Sequence, residues 1–272
     1  MASSGGGAQT AGVDFATMMT LEAHGPDTFV GVGPGYPWGG LYGGQIVAQA
    51  LRAAASTVDR GLGVHALHAF FIRRGDTAEP IRFEVDRLRN GRSFVTRSVV
   101  ARQSTGAILN MSASFQAAEA SPDVQAVEAP AVAPAEGLED TSWSPMFARR
   151  YPMPRRGGRS VGWLRMLEAV GEDPVLQACA LAYTSDDLPT EAVMALHPDF
   201  AADGTDEGWM SASLDHAIWF HRPVRAEDWL LQDFWCKGLV NSRGLALGRI
   251  FTPDGVHVAT VAQEVLLRAA RR

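Results

Sequence analysis

The segment Ser213-Leu214-Asp215-His216-Ala217-Ile218-Trp219-Phe220-His221-Arg222-Pro223 has a weaker copy of itself at His68-Ala69-Phe70-Phe71-Ile72-Arg73-Arg74. No other feature constrains the fold as much. His68 aligns with His216, Ala69 with Ala217, Phe71 with Trp219 and Arg74 with Arg222, an offset of 148 positions from His68 to His216. Each copy runs on through three strand-like segments to a glutamine, Gln116 lying 48 residues after His68 and Gln263 lying 47 after His216. The pattern predicts two similar half-chains. A length of 272 residues exceeds the usual single domain and suits two small domains sharing one interface.

Within the first half, Met1 to Gly12 is Gly, Ser and Ala with little to bury, so residues 1–13 are expected to be disordered. Phe15 to Leu21 reads as a short helix, Thr28 to Gly33 as a strand, and the Gly- and Pro-rich Gly31 to Gly40 as loop. After Gly43-Gly44, apolar residues at 46, 47, 50, 51 and 54 follow a helical period with few polar interruptions, which predicts a helix wrapped by other structure. Val64 to Arg73, Ile81 to Leu88, Phe94 to Gln103 and Ala107 to Gln116 then read as strands separated by turn residues such as Asn90-Gly91. One helix followed by consecutive antiparallel strands is an α+β arrangement, the helix lying against a curled sheet. Glu119 to Glu139 carries Ala, Pro and Glu without periodicity and reads as a linker. The expected division is 14–118, a linker at 119–145, and 146–270.

The second half repeats the plan. Phe147 to Tyr151 and Val161 to Leu167 are leading strands, Val175 to Tyr183 is a short helix, and a further helix begins near Asp186 with Pro189 in its first turn. Met210 to Phe220, Trp229 to Lys237, Leu245 to Phe251 and Val256 to Leu267 are strands. Trp229 to Cys236 is apolar on both faces, which places it in the middle of a sheet.

Composition limits the function. A hydrophobic fraction of 46% with 20% charged residues fits an ordinary globular protein, and no apolar run approaches the length that spans a bilayer, so membrane insertion is not expected. A net charge of -6 argues against nucleic acid, which needs a basic footprint. Two cysteines, Cys179 and Cys236, are too few for a disulfide framework, and with no signal-peptide pattern at the N-terminus the expected location is cytoplasmic. No His or Cys cluster suggests a metal, and no cofactor is expected.

Several motifs in order resemble the acyl-CoA thioesterase II family. They are Gly43-Gly44-Gln45-Ile46-Val47-Ala48-Gln49-Ala50-Leu51, the run through His65 and His68 to Arg74-Gly75-Asp76, Leu88-Arg89-Asn90-Gly91-Arg92-Ser93-Phe94, Ala113-Ser114-Phe115-Gln116, Leu181-Ala182-Tyr183-Thr184-Ser185-Asp186, Leu214 to Pro223, and Val261-Ala262-Gln263-Glu264. The resemblance covers roughly residues 15 to 268. It implies two tandem hotdog domains, each a long helix wrapped by an antiparallel sheet, forming a pseudo-dimer. It also implies hydrolysis of fatty acyl-CoA to free acid and CoA, by water held between an Asp, a hydroxyl residue and a Gln. By motif these are Asp186, Ser213 and Gln263, with Ser213 standing where the better-known members have Thr. Gly43, Gly44 and Gln45 are the matching substrate-binding positions, although Gly39-Gly40-Leu41-Tyr42 precedes them where the family commonly has an Arg or Lys and an aromatic. A homo-oligomer, dimer or tetramer, is expected from the pairing of pseudo-dimers.

Each of these residues has a plainer reading. Asp186 suits a helix N-cap, a role compatible with a general base. Gln263 shares its strand face with Ala259, Val261, Val265 and Leu267, so its amide needs partners whether or not it works in catalysis. Ser213 alone signals nothing. Gly158-Arg159-Ser160-Val161-Gly162 matches a nucleophile-elbow pattern, but Pro152, Pro154 and Gly157 precede it where a strand is required. On one continuous strand Ser213 and His216 face opposite ways and cannot act as a pair. Arg149, Arg150, Arg155, Arg156 and Arg159 form the densest basic cluster and are candidates for CoA phosphates. The competing readings are a non-catalytic acyl-CoA sensor and a hotdog hydratase, the latter needing a His and Asp pair for which no matching positions are found.

Overall fold

The structure is a computed structural model that describes residues 13–200 and 208–269. In chain order it contains α1 (Phe15–Met19), β1 (Glu22–Ala23), β2 (Thr28–Gly31), α2 (Gly43–Ala55), β3 (Leu62–Phe71), β4 (Ile81–Asn90), β5 (Phe94–Gln103), β6 (Gly106–Ala117), β7 (Phe147–Arg150), β8 (Arg159–Met166), α3 (Pro174–Ser185), α4 (Leu188–Met194), β9 (Trp209–Ser213), β10 (Asp215–Phe220), β11 (Leu230–Val240), β12 (Arg243–Phe251) and β13 (His257–Ala269). Apart from Val13, the segment predicted to be disordered lies outside the described residues.

All strands join one antiparallel sheet in the order β1-β2-β4-β5-β6-β3-β10-β13-β12-β11-β8-β7, with β9 pairing β13 off this path. The two halves meet where β3 pairs β10, with His68 opposite Ala217 and Ala69 opposite His216. Each half curls around one helix. The Ala-rich α2, nearly all of whose residues are buried, packs on β2 to β6. The shorter α4 packs on β8, β11, β12 and β13. Pro189 stands in the first turn of α4, as expected, since a proline costs no hydrogen bond there. Between them α3 packs along α2; its start is set by Pro174 and by Asp173, whose carboxylate accepts the Val175 N–H at 2.9 Å.

Three expectations change. The strand predicted over Met210 to Phe220 is broken at Leu214. Val265 stands opposite Ser213 and Ala262 opposite Ala217, so four steps along β9 and β10 match three along β13. The extra residue is a bulge, held by Leu214 N–H on Glu264 O at 2.8 Å and Glu264 N–H on the Asp215 carboxylate at 2.6 Å. Second, the repeat is one residue out of phase with the fold. His216 is fully buried, whereas its aligned partner His68 is exposed and lies edge-on to the Trp219 ring on the outer face. The glutamines differ likewise, because Gln263 is buried while Gln116 shares the outward parity of Ser112 and Ser114. Third, the predicted linker has no helix or strand but is a packed strap. Ala135 is buried with Val161, Trp163, Leu231 and Phe251, and the Trp163 indole donates to Ala133 O at 2.9 Å. This strap covers the outer face of β8, β11 and β12, which explains why interior strand β11 is apolar on both sides.

Candidate active site

Asp186 sits in the break between α3 and α4, and its own N–H bonds to Thr184 O. It stands at the C-cap of α3, and its side chain N-caps no helix of its own half. Its carboxylate accepts the Gly44 N–H at the start of α2 at 2.8 Å and the Ser213 hydroxyl at 3.0 Å. The helix it caps therefore belongs to the other half of the chain, which supplies the positive end of a helix dipole. Asp186 is 6% exposed, and burial pushes its pKa from 3.8 up to about 7, against the opposing effect of the bonds from Ser213, Gln263 and Gly44. A carboxyl balanced this way can take a proton near neutral pH.

Ser213 lies at the end of β9 and Gln263 in the middle of β13, in the predicted apolar row with Ala259, Val261, Val265 and Leu267. The Gln263 amide donates to Ser213 Oγ at 2.8 Å and accepts from the ring of His216 at Nδ1. The bulge at Leu214 makes this possible. Because it shifts the parity by one residue, Ser213 and His216 come to the same side of the sheet and meet on the two ends of one amide. His216 in turn lies 2.9 Å from Ser185 Oγ through Nε2, and burial pushes its pKa down to about 4. The motifs point to Asp186, Ser213 and Gln263, which the structure brings together; strand alternation instead predicts His216 on the face opposite Ser213, and Ser185 enters only as part of a motif.

The close approach of the helix break to α2 explains the paired glycines. A Cβ at Gly43 would lie 2.6 Å from Asp186 Oδ2, and one at Gly44 would lie 2.3 Å from the Tyr183 carbonyl oxygen. Gln45 points elsewhere: its amide is buried and donates to Gln49 at 3.1 Å, leaving its own oxygen without a partner. Around the break stand Tyr42, whose hydroxyl donates to Tyr183 O at 3.0 Å, and a set of stacked and edge-on rings from Tyr36, Trp38 and Trp143. The neighbouring Asp187 is held away from this group by Trp143 Nε1 at 2.6 Å and Arg149 at 2.9 Å.

That pairing bears on the basic cluster. Arg149 and Arg155 bridge Glu191 on α4, Arg159 bridges Asp233, and Arg150 bonds to Ala135 O while covering the Trp229 ring. Four of the five arginines thus hold the second half together rather than presenting a free basic surface. Ser160, in the nucleophile-elbow pattern, lies within β8 and is fully buried against Glu191, so it is no elbow. Burial also raises the Cys179 thiol to about 12, which rules it out as a thiolate nucleophile at neutral pH. Among the described residues no group of three or more His, Cys, Asp or Glu is placed to hold a metal ion.

Two helices, each wrapped by half of one continuous antiparallel sheet, make the molecule a double hotdog, with a carboxylate, a hydroxyl and an amide gathered where the halves meet. Comparison with known proteins agrees. Residues 34–116 match the model of the acyl-CoA thioesterase N-terminal domain and residues 118–267 that of the C-terminal domain. The chain is 34% identical to human acyl-coenzyme A thioesterase 8, over 93% of this chain and 88% of that one. It is 31% identical to acyl-CoA thioesterase 2 of Haemophilus influenzae, over 84% and 87%. The solved acyl-CoA thioesterase II of Mycobacterium marinum superposes with a TM-score of 0.82 at 35% identity, covering 94% of this chain and 97% of that one. The chain belongs to the acyl-CoA thioesterase family.

Proposed function

We propose that the protein hydrolyses fatty acyl-CoA to free acid and CoA, with Asp186 as general base on a water held by Ser213 and Gln263. The observation that carries this reading is the buried Asp186 carboxylate, raised to about 7 yet bonded by the Ser213 hydroxyl, which in turn accepts from the Gln263 amide. An ionised carboxylate has about four acceptor sites, so Asp186 can accept from a water beside Ser213 and Gly44. That water's oxygen attacks the thioester carbonyl as its proton passes to Asp186. The C–S bond then breaks, the electron pair leaves on sulfur, and the proton returns to the thiolate. A thiolate is a good leaving group, so no covalent enzyme intermediate is needed. Gly44 N–H serves Asp186, which leaves the first-turn N–H groups of Gly43 and Gln45 to polarise the carbonyl oxygen. Here Gln45 contributes through its backbone, since its side chain is turned away.

Asp186→Asn keeps the volume and loses the base. It is expected to fold and to lose about 100-fold or more of kcat, read as thiol release from a panel of acyl-CoAs of different chain length. Asp187→Asn is the neighbouring comparison and should change stability more than chemistry. Full activity in Asp186→Asn would leave the non-catalytic acyl-CoA binding protein as the better reading.

The proposal extends to assembly and place. Phe70, Trp219, Leu245 and Leu247 lie exposed on β3, β10 and β12, a sheet face suited to self-association as a dimer or tetramer. Light scattering on the purified chain tests this, and a monomer at micromolar concentration would oppose it. Cys179 and Cys236 are unpaired, which suits a cytoplasmic location, and no helix among the described residues is long and apolar enough to cross a membrane.

A further inference from the structure

We propose that His216 and Ser185 are positioning residues that lock the Gln263 amide in one orientation, with its NH2 group toward Ser213 and Asp186. The inference rests on the reading of Asp186, Ser213 and Gln263 as the water-holding set.

A primary amide has a donor end and an acceptor end of nearly equal shape. Turning Gln263 over would preserve its packing among Val261, Val265 and Ile218, all fully buried, because apolar neighbours do not distinguish oxygen from nitrogen. The reversal would nevertheless undo the site. The amide oxygen would face Ser213 and draw its hydroxyl proton away from Asp186, and the carboxylate would lose its side-chain donor. Something must therefore distinguish the two ends of the amide, and among the described residues it is His216 that bonds the far end.

His216 is fully buried and held neutral by that burial, so its ring carries one proton. With Gln263 Oε1 at Nδ1, the proton must be on Nδ1, and Nε2 must accept. Ser185 Oγ, 2.9 Å from Nε2, supplies that hydrogen bond; its alternative acceptor, Ala182 O, is 3.1 Å away. The donors then run head to tail: Ser185 hydroxyl to His216 Nε2, His216 Nδ1–H to Gln263 Oε1, Gln263 Nε2–H to Ser213 Oγ, and Ser213 hydroxyl to Asp186 Oδ1. The chain of bonds starts one residue before Asp186 at the end of α3 and returns to it through β10, β13 and β9. One ring tautomer thereby fixes the polarity of the side-chain bonds that lead to the carboxylate, while the Gly44 N–H reaches it from the backbone.

The test is steady-state hydrolysis of decanoyl-CoA across the neutral pH range. His216→Leu should lower kcat about 10- to 100-fold with KM within about twofold, as expected for misplacing a group that acts in the transition state. The acid limb of its kcat profile should move to higher pH, because Asp186 loses a bond that lowers its pKa. His216→Asn, whose amide N–H can replace Nδ1–H, should recover most of the rate and restore the limb. Ser185→Ala should lower kcat about three- to tenfold in the same direction. A merely structural His216 would lower thermal stability and leave the acid limb in place. The proposal is overturned if folded His216→Leu keeps both kcat and limb, or if His216→Asn recovers no more than His216→Leu. Should His216→Leu fail to fold, an unchanged rate and limb in Ser185→Ala overturns it. Gln263→Ala separates the two levels. Full activity there removes the water-holding reading itself, whereas lost activity there with an unaffected His216→Leu removes only the relay.

Discussion

At Asp186 two effects oppose each other, and burial outweighs hydrogen bonding. Donors such as the Gly44 N–H and the Ser213 hydroxyl would hold an exposed carboxyl below its ordinary range, yet at 6% exposure the pKa rises from 3.8 to about 7. Since the folded-state value lies above the unfolded one, ionising Asp186 disfavours the folded chain. That cost is absent below about pH 4, grows between pH 4 and 7, and is complete above. Two outcomes follow. Activity should rise with pH along a limb centred near 7, a limb absent from any residual activity of Asp186→Asn. The same variant should also be more stable than the parent at pH 8, by on the order of 2–4 kcal/mol, and gain little at pH 4. Denaturant unfolding at both pH values checks the second outcome, and equal gains would place the raised pKa elsewhere. The sequence could nominate this residue from its motif, and its position ahead of Pro189 suggested a cap. It could not reveal that the capped helix is in the other half, because nothing local to Asp186 refers to Gly44.

At the level of elements, the start of α2 and the bulge between β9 and β10 govern the site. Gly44 permits contact with the backbone of Tyr183, and backbone yields less readily than the tip of a side chain. Gly44→Ala, with a Cβ 2.3 Å from that carbonyl oxygen, should push α2 back, cost about 1–3 kcal/mol of stability and lower kcat by lengthening the Gly44 bond to Asp186. Gly63→Ala in β3 is the comparison, as a Cβ there meets nothing within 4 Å. Equal unfolding midpoints for the two variants would contradict the close-approach argument. The helix, most strands and their order were readable from periodicity and turn residues. The bulge was not, because no Gly, Pro or Asn stands between Ser213 and Phe220 to mark a break. A one-residue insertion changes no composition yet turns every later side chain to the other face.

For the whole molecule, the junction of β3 with β10 makes the sheet continuous, and the site draws Gly44 from one half and Asp186, Ser213 and Gln263 from the other. Residues 119–272 expressed alone should therefore be inactive, and the intact chain should unfold in a single transition by circular dichroism and fluorescence. Thioesterase activity in the isolated second half would show that α2 is dispensable. The strap from β6 to β7 stays with that fragment and shields Trp163, Leu231 and Phe251, so lost activity there would report the missing α2 and β3 rather than a stripped outer face.

By itself the sequence determined the two-half plan, the wrapped helix after Gly43-Gly44 and the α+β class, and its family motifs nominated Asp186, Ser213 and Gln263 as the candidate set. These are legible because periodicity, turn chemistry and short motifs are local properties of the chain. Only the tertiary structure decided that His68 and His216 face opposite sides, that Gln116 is no counterpart of Gln263, that Arg149, Arg155 and Arg159 of the arginine cluster pair with carboxylates, and that His216 reaches the site at all. Each of these depends on strand register or on contacts between distant segments. A side chain's face follows from where its strand is paired, and a bulge of one residue sets that pairing without leaving a mark in the pattern of residues.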